Sequence, residues 1–255
     1  MTLKELIRKY ILENKNSSKI VYDNSSKVLF IGDIHGDFDT IIKIKNIMKD
    51  YDKVVFLGDY VDRGRYGYEV LKEILESYLK EKDKIVLLKG NHENLLMNKF
   101  YGFYEEILKK ESDVLEIIEE FYNSLKLIYI NNRLKIFAVH GGINIVPEKL
   151  EELLYYEEYL LWSDFNWGNP CITTYNIYRG VGVLFGLDLL KPFMEKFNFK
   201  YFVRGHEYFE EGIRIFEFGN KFLITLFSSN EYPYNFVKKK ILEINKEGYK
   251  IIDLS

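Results

Sequence analysis

Four times in this chain an uninterrupted apolar run gives way to a short stretch joining glycine to Asp, Asn or His. That recurrence is what most limits the fold. Residues 28–31 (VLFI) lead into GDIHG at 32–36, and residues 54–57 (VVFL) into GDYVDRG at 58–64. Residues 85–88 (IVLL) precede GNHE at 90–93, and residues 136–139 (IFAV) lead into HGG at 140–142. One Gly-Asp after an apolar run would be a turn. Here the chain's four histidines, His35, His92, His140 and His206, all stand in such positions, the last in RGHE at 204–207 after an apolar 201–203. Short apolar runs closed in this way read as buried strands whose C-terminal ends carry ligand-type side chains to one rim, where open α/β architectures bind their ligands.

The segments between the runs have helical spacing. Ile41, Ile42, Ile44, Ile47 and Met48 are expected on one buried face, and Val70, Leu71, Ile74, Leu75, Tyr78 and Leu79 on another. Strands joined by helices imply right-handed crossovers and a largely parallel sheet in this half. Residues 2–14 read as an amphipathic helix, 20–22 as a short strand, 101–128 as covering helices, and 134–139 as the strand delivering His140. A helix is expected over 147–162, a loop over 161–171 and a further helix through Leu189, Phe193, Met194 and Phe197. Strands are expected at 201–203, 213–218, 221–227 and 236–244. The whole predicts two sheets packed face to face with helices outside, an α/β class that some schemes would call α+β. With 255 residues and no Gly/Ser/Pro-rich linker, residues 1–255 are expected to form a single domain.

Composition narrows the function. The formal net charge is -3 and the longest basic run is Lys238-Lys239-Lys240, so there is no nucleic-acid footprint. Cys171 is the only cysteine, which excludes an internal disulfide framework and a thiolate metal site and suggests a reducing, cytoplasmic setting. No stretch approaches the roughly 20 apolar residues of a membrane span.

The donors that remain are oxygen from Asp33, Asp59 and Asn91 and imidazole from His35, His140 and His206. Asp33 and His35 are two apart, so on extended backbone they would point the same way. Oxygen and nitrogen without sulfur suit Mn²⁺, Fe²⁺ or Zn²⁺ better than calcium. Six ligands exceed one ion's usual protein share and point to two ions bridged by a carboxylate, roughly 3.5 to 4 Å apart, which can hold a hydroxide and clamp phosphate oxygens. Two divalent ions, two carboxylates and a hydroxide sum to a formal charge of about +1, and two arginines raise it to about +3, which suits a phosphomonoester dianion. Arg63 offers a planar fork for phosphate oxygens. His92 can protonate a departing alkoxide, and Asp62 is the partner that fixes its tautomer and favours the protonated ring.

With these motifs in place the chain resembles the phosphoprotein phosphatase family of metallophosphoesterases, which includes the type 1 and 2A serine/threonine phosphatases and calcineurin. GDIHG, GDYVDRG, GNHE and HGG, with Arg179-Gly180 and His206, carry the resemblance across residues 28–232. It implies a four-layer fold, a central β-sandwich of two mixed sheets flanked by helices. It also implies one ion held by Asp33, His35 and Asp59 and a second by Asp59, Asn91, His140 and His206, with manganese expected and iron or zinc as alternatives. His92 with Asp62 matches the family's acid pair, and Arg63, Arg179 and Asn91 its phosphate contacts. Phosphoproteins are the implied partners, with no nucleic acid or membrane; a regulatory subunit is not specified.

Two stretches depart from the family pattern. Trp162-Ser163-Asp164-Phe165 stands where LWSDP is common, and residues 226–232 (LFSSNEY) stand where LFSAPNY is common. Tyr232 is expected to overhang the site and touch substrate. Glu93 is expected to support the ligands or to stabilise a turn rather than to bind metal itself, Glu207 to be structural, and Trp162 and Trp167 to be core or loop anchors. The alternative enzyme is a symmetrical diadenosine tetraphosphate hydrolase, which shares GDIHG and GNHE but usually lacks the second aspartate of GDYVDRG, so Asp62 favours the protein phosphatase. A non-catalytic phosphoprotein-binding scaffold is the non-enzymatic reading, and the complete set of ligands, acid and arginines weighs against it.

Overall fold

A computed structural model of the chain describes residues 1–254. Two sheets pack face to face, as the alternation of apolar runs and helices requires. The five-stranded sheet runs in the order Gly248–Asp253, Lys240–Asn245, Lys27–Ile31, Lys53–Phe56, Ile85–Leu87. Its last three strands are parallel, and the C-terminal hairpin is added antiparallel. The six-stranded sheet runs Ile20–Asp23, Ile128–Asn131, Ile136–Val139, Tyr201–Arg204, Lys221–Leu226, Ile213–Phe218, with mixed pairing. A small third sheet of Asp164–Phe165, Val183–Phe185 and Thr174–Tyr175 stands apart from both.

The runs 28–31 and 54–56 and the strands Ile85–Leu87 and Ile136–Val139 are apolar at every position because both of their faces are covered. Val28 and Phe30 point between the sheets toward Tyr129, Ile136, Ala138, Val203 and Ile224. Leu29 and Ile31, one residue out of phase, point outward to the helices Leu3–Asn14, Phe38–Ile47 and Gly67–Lys80. The first of these starts at a capping box between Thr2 and Glu5 and buries Leu3, Leu6, Ile7, Tyr10 and Ile11. On the opposite outer face, Phe193 of the helix Leu187–Lys196 packs edge-on against Phe137 at 4.9 Å. This gives the expected four layers. Among the described residues no helix is long and apolar enough to cross a membrane.

Several elements differ from expectation. The helical pattern over 101–128 is broken into Phe103–Lys110, a 3-10 turn and Ile118–Ser124, and it ends in a strand, Ile128–Asn131. That strand's partners, Ile20–Asp23 and Ile136–Val139, come from distant and near chain respectively, so local spacing could not reveal it. The stretch 147–162 is a 3-10 helix, Leu150–Tyr156, followed by the short helix Glu157–Trp162. The expected loop over 161–171 contributes the edge strand Asp164–Phe165. The strand placed at 236–244 begins at Lys240, and a partner, Gly248–Asp253, follows it. Ile42, assigned to a buried face, is exposed.

Phe30 is fully buried between the sheets, its ring 5.9 Å from that of Tyr129. Phe30→Ala is expected to destabilise the protein by about 3–5 kcal/mol, since the rigid sheets cannot close on the cavity. Denaturant midpoints at fixed metal concentration would measure this, and a loss below about 1 kcal/mol would mean that the two sheets do not pack as described.

Candidate active site

The parallel strands of both sheets end at the same edge. From the five-stranded sheet, Lys27–Ile31 delivers Asp33, Lys53–Phe56 delivers Asp59, and Ile85–Leu87 leads to Asn91 and His92. From the six-stranded sheet, Ile136–Val139 delivers His140 and Tyr201–Arg204 delivers His206. An isolated bridge between Asp33 and Phe227 ties the two sheets together here. The loops are held in conformations that side chains seldom adopt. His35, Asp59, Asp62, Arg63 and His206 have φ of 44°, 54°, 67°, 67° and 70°, and such left-handed residues cost on the order of 1–3 kcal/mol each and cluster at functional sites. His35 is therefore not on extended backbone, and the two-residue alternation expected to align it with Asp33 does not apply. The left-handed turn itself aims the ring inward. Gly58 must be glycine, because at φ 106° any Cβ would lie 2.6 Å from Gly90 Cα. Glu93 fixes the same turn by accepting the N–H groups of Asp59 (2.8 Å), Tyr60 (3.0 Å) and Gly90 (2.8 Å), the turn-stabilising role expected of it.

The side chains converge on two donor groups that share Asp59. Its Oδ2 lies 3.5 Å from His35 Nε2 and 3.5 Å from His140 Nε2. Asn91 Oδ1 lies 2.8 Å from His206 Nδ1 and 3.0 Å from His140 Nε2, and the two ring nitrogens are 3.2 Å apart. Asp33 Oδ2 lies 4.0 Å from His35 Nε2, and both Asp33 oxygens accept the His206 N–H. His35 Nδ1 meets Val61 O at 3.0 Å and His140 Nδ1 meets Leu57 O at 2.9 Å. Each Nδ1 therefore carries the proton and leaves Nε2 free to ligate. His206 does the reverse: its Nδ1 faces the cluster, while its buried Nε2 lacks a hydrogen-bond partner.

Burial holds His35, His140 and His206 well below the ordinary histidine range, so all three are neutral donors. Burial also raises the acids. Asp33 is pushed up to about 7, and Asp59 rises well above its usual range through burial and the neighbouring Asp33 charge. Neutral imidazoles crowded with an amide oxygen around buried carboxylates of raised pKa are the donor set that divalent cations satisfy, and the residues present fit such ions. By distance alone the first group is His35, Asp59 and His92, and the second Asp59, His140 and His206. His92, expected as the acid, thus falls within the first group, and the expected ligand Asp33 adjoins it at 4.0 Å from His35 Nε2.

His92 Nδ1 is committed to Asp62 Oδ2 at 2.8 Å. Asp62 raises the ring's pKa as expected, but burial outweighs it and the net shift is downward. The protonated form therefore needs additional negative charge facing the ring. Asp62 is held in turn by Asn98 Nδ2 (2.9 Å) and Phe103 N–H (3.1 Å), and Asn98 Oδ1 accepts the Tyr122 hydroxyl at 2.8 Å. Neither Asn98 nor Tyr122 was singled out in the sequence; the available signal was an asparagine at a position that the helix buries completely.

Arg63 and Arg179 are each held in place. The Arg63 guanidinium lies 3.8 Å from the centroid of the Tyr101 ring, with its Nε buried and unpartnered. Arg179 Nε meets Asp164 Oδ2 at 2.5 Å, and its Nη2 reaches Asp164 Oδ1 at 3.3 Å. Asp164 also accepts Asn176 Nδ2 at 2.9 Å and the buried Arg204 Nη2 at 3.3 Å, so it orients the arginine of the neighbouring loop. Trp162 packs edge-on against His206 at 5.8 Å. Tyr232 is exposed, whereas the ring that stacks on His35, at 5.5 Å, is that of Tyr234.

Because ligands must lose their protons to bind a metal, protons and divalent ions compete here. With Asp33 titrating near 7, below which it holds its proton, the affinity for a divalent ion is expected to fall by at least about tenfold per pH unit below that point, with proton release on binding. Calorimetric titration in buffers of different ionisation heat reads both quantities. An affinity unchanged between about pH 5 and 8 would contradict the assignment.

A family model described as calcineurin-like phosphoesterase matches residues 26–209, and the chain belongs to that family. It is similar to a Schizosaccharomyces pombe protein bearing the name of a serine/threonine-protein phosphatase, 30% identical over 267 residues, covering 98% of this chain and 83% of that one. An Encephalitozoon cuniculi protein with a name of the same kind is 32% identical over 252 residues, covering 91% of this chain and 54% of its own, so this chain spans about half that relative's length. A solved protein serine/threonine phosphatase from Saccharomyces cerevisiae, with similarity to human phosphatase PP5, aligns with a TM-score of 0.83 at 22% identity, covering 98% of this chain and 88% of that one, which establishes the shared fold. Family and donor set together imply divalent metal ions at the cluster.

Proposed function

We propose that this chain is a metal-dependent phosphomonoesterase that removes phosphate from phosphoserine and phosphothreonine in proteins. The observation that carries the reading is the pair of donor groups sharing Asp59, with the His92–Asp62 pair beside them. Asp33, His35 and Asp59 would hold one divalent ion and Asp59, Asn91, His140 and His206 the other, manganese by preference. Ions bound there supply Lewis acidity and activation of water. Arg63 and Arg179 hold the phosphoryl oxygens, with Asn91 at the same face. Asp62 keeps the His92 proton on Nδ1 and orients the ring so that Nε2 meets the leaving oxygen. A phosphate dianion supplies the negative charge that favours a protonated ring, and proton delivery to the serine or threonine oxygen follows. Cys171, exposed and unpaired, accords with a reducing, cytoplasmic setting.

The test is to strip the protein with a chelator and reload it with manganese, iron or zinc before assaying phosphoserine and phosphothreonine peptides. Activity should vanish on stripping and return at two ions per chain, highest with manganese. Full peptide hydrolysis by metal-free protein would overturn the proposal.

A further inference from the structure

Arg179, assigned above to the phosphoryl oxygens, also lines a cavity of about 520 Å³ that the chemistry above does not use. Phe165, Trp167, Tyr178 and Leu184 give it apolar walls, and Asn166 and Asn176 join Asp164 and Glu207 in its polar ones. Trp167 is fixed in place: its ring is edge-on to Phe165 at 4.9 Å and to Phe209 at 5.4 Å, and its Nε1 donates to Glu207 Oε2 at 3.3 Å. Tyr178 is 84% exposed on the loop that also carries Arg179. The charges of its lining are already matched. Arg179 pairs with Asp164, and Glu207 pairs with the buried Arg204 beneath. A charged guest would lose hydration there while the ionic groups of the lining already hold partners, whereas an apolar guest would cover the aromatic rings of Trp167 and Tyr178 over polar groups already hydrogen-bonded within the protein.

We infer that this cavity is a specificity subsite that takes a large apolar or aromatic side chain next to the phosphorylated residue of a peptide substrate. The inference rests on the proposed phosphopeptide activity and goes beyond it by naming the sequence context. Its occupant follows from continuity: Arg179 lines the cavity, so a phosphoryl group engaged by that arginine brings the adjacent peptide residue beside it. It also follows from charge, since the cavity's own ionic groups are satisfied.

The test uses phosphothreonine peptides of one polar frame, varied only at the two residues flanking the phosphothreonine, with p-nitrophenyl phosphate assayed alongside. With Phe, Trp or Leu at one of the flanking positions, kcat/KM should exceed that of the Ala peptide by roughly tenfold, mostly through KM, and Lys or Asp should give no gain. Tyr178→Ala should collapse the Phe-to-Ala ratio toward one, and Tyr178→Phe should keep it. Equal rates for Phe, Ala and Lys peptides, or a ratio unmoved by Tyr178→Ala, would overturn the subsite while leaving the phosphatase reading standing. Hydrolysis of p-nitrophenyl phosphate with no peptide turned over would overturn that reading, and the subsite with it.

Discussion

Replacing His92 with alanine is expected to lower kcat on a phosphothreonine peptide by about 10²-fold or more with both metal ions retained. The reason lies in the leaving group. Threonine alkoxide is a poor leaving group unless a proton reaches it, and the ring clamped to Asp62 at 2.8 Å is the group placed to deliver that proton. The loss should therefore depend on the substrate: an aryl phosphate such as p-nitrophenyl phosphate, whose phenolate departs without help, should lose much less. Asp62→Asn should fall between, because the ring would keep its position but lose the negative partner on Nδ1. Metal content measured alongside kcat on both substrates separates acid catalysis from a damaged centre. An equal loss on both substrates with two ions bound would show that His92 acts otherwise than as the acid.

Asp59→Asn should cost more, at least about 10³-fold in kcat, with bound metal falling from two ions to at most one. Asp59 Oδ2 is the atom that both donor groups share, at 3.5 Å from His35 Nε2 and from His140 Nε2. An amide has one neutral oxygen and cannot serve two cations as a carboxylate can. The substitution would also disturb the acid, since Asp59 Oδ1 accepts the backbone N–H of His92 at 2.9 Å. Metal analysis after gel filtration, paired with kcat, reads both effects. A variant with two tightly bound ions and near-normal turnover would refute the shared-ligand arrangement.

The site's inner ring of residues was legible in the sequence because each member sits at the end of its own apolar strand. Asp33, Asp59, Asn91, His140 and His206 needed only local pattern and the rule that strand ends face one rim. What supports them was not legible. Asn98 reaches Asp62 and Arg204 reaches Asp164 across 36 and 40 residues of chain; Asn98 lies in no repeating motif, and Arg204 opens RGHE, where the strand-end pattern marks His206 and says nothing of the arginine's partner. Tyr101 beneath Arg63 looks from the sequence like one more apolar position of a helix. Tyr234, not Tyr232, lies on His35, because the loop after Ser229 turns in a way that a match of motif letters does not carry. The same contrast holds for the fold. Lys27–Ile31 and its neighbours announce themselves by composition, whereas Ile128–Asn131 becomes a strand only because Ile20–Asp23 and Ile136–Val139 flank it.

The most direct test of the central claim is to measure initial hydrolysis rates of the manganese-reloaded protein on a phosphothreonine peptide and on diadenosine tetraphosphate under identical conditions. A kcat/KM favouring the peptide by about tenfold or more is the predicted result, because His92–Asp62 and the two arginines suit a monoester with an unactivated leaving group. Preference for the dinucleotide would contradict it, and would recast the centre around Asp59 as that of a nucleotide hydrolase.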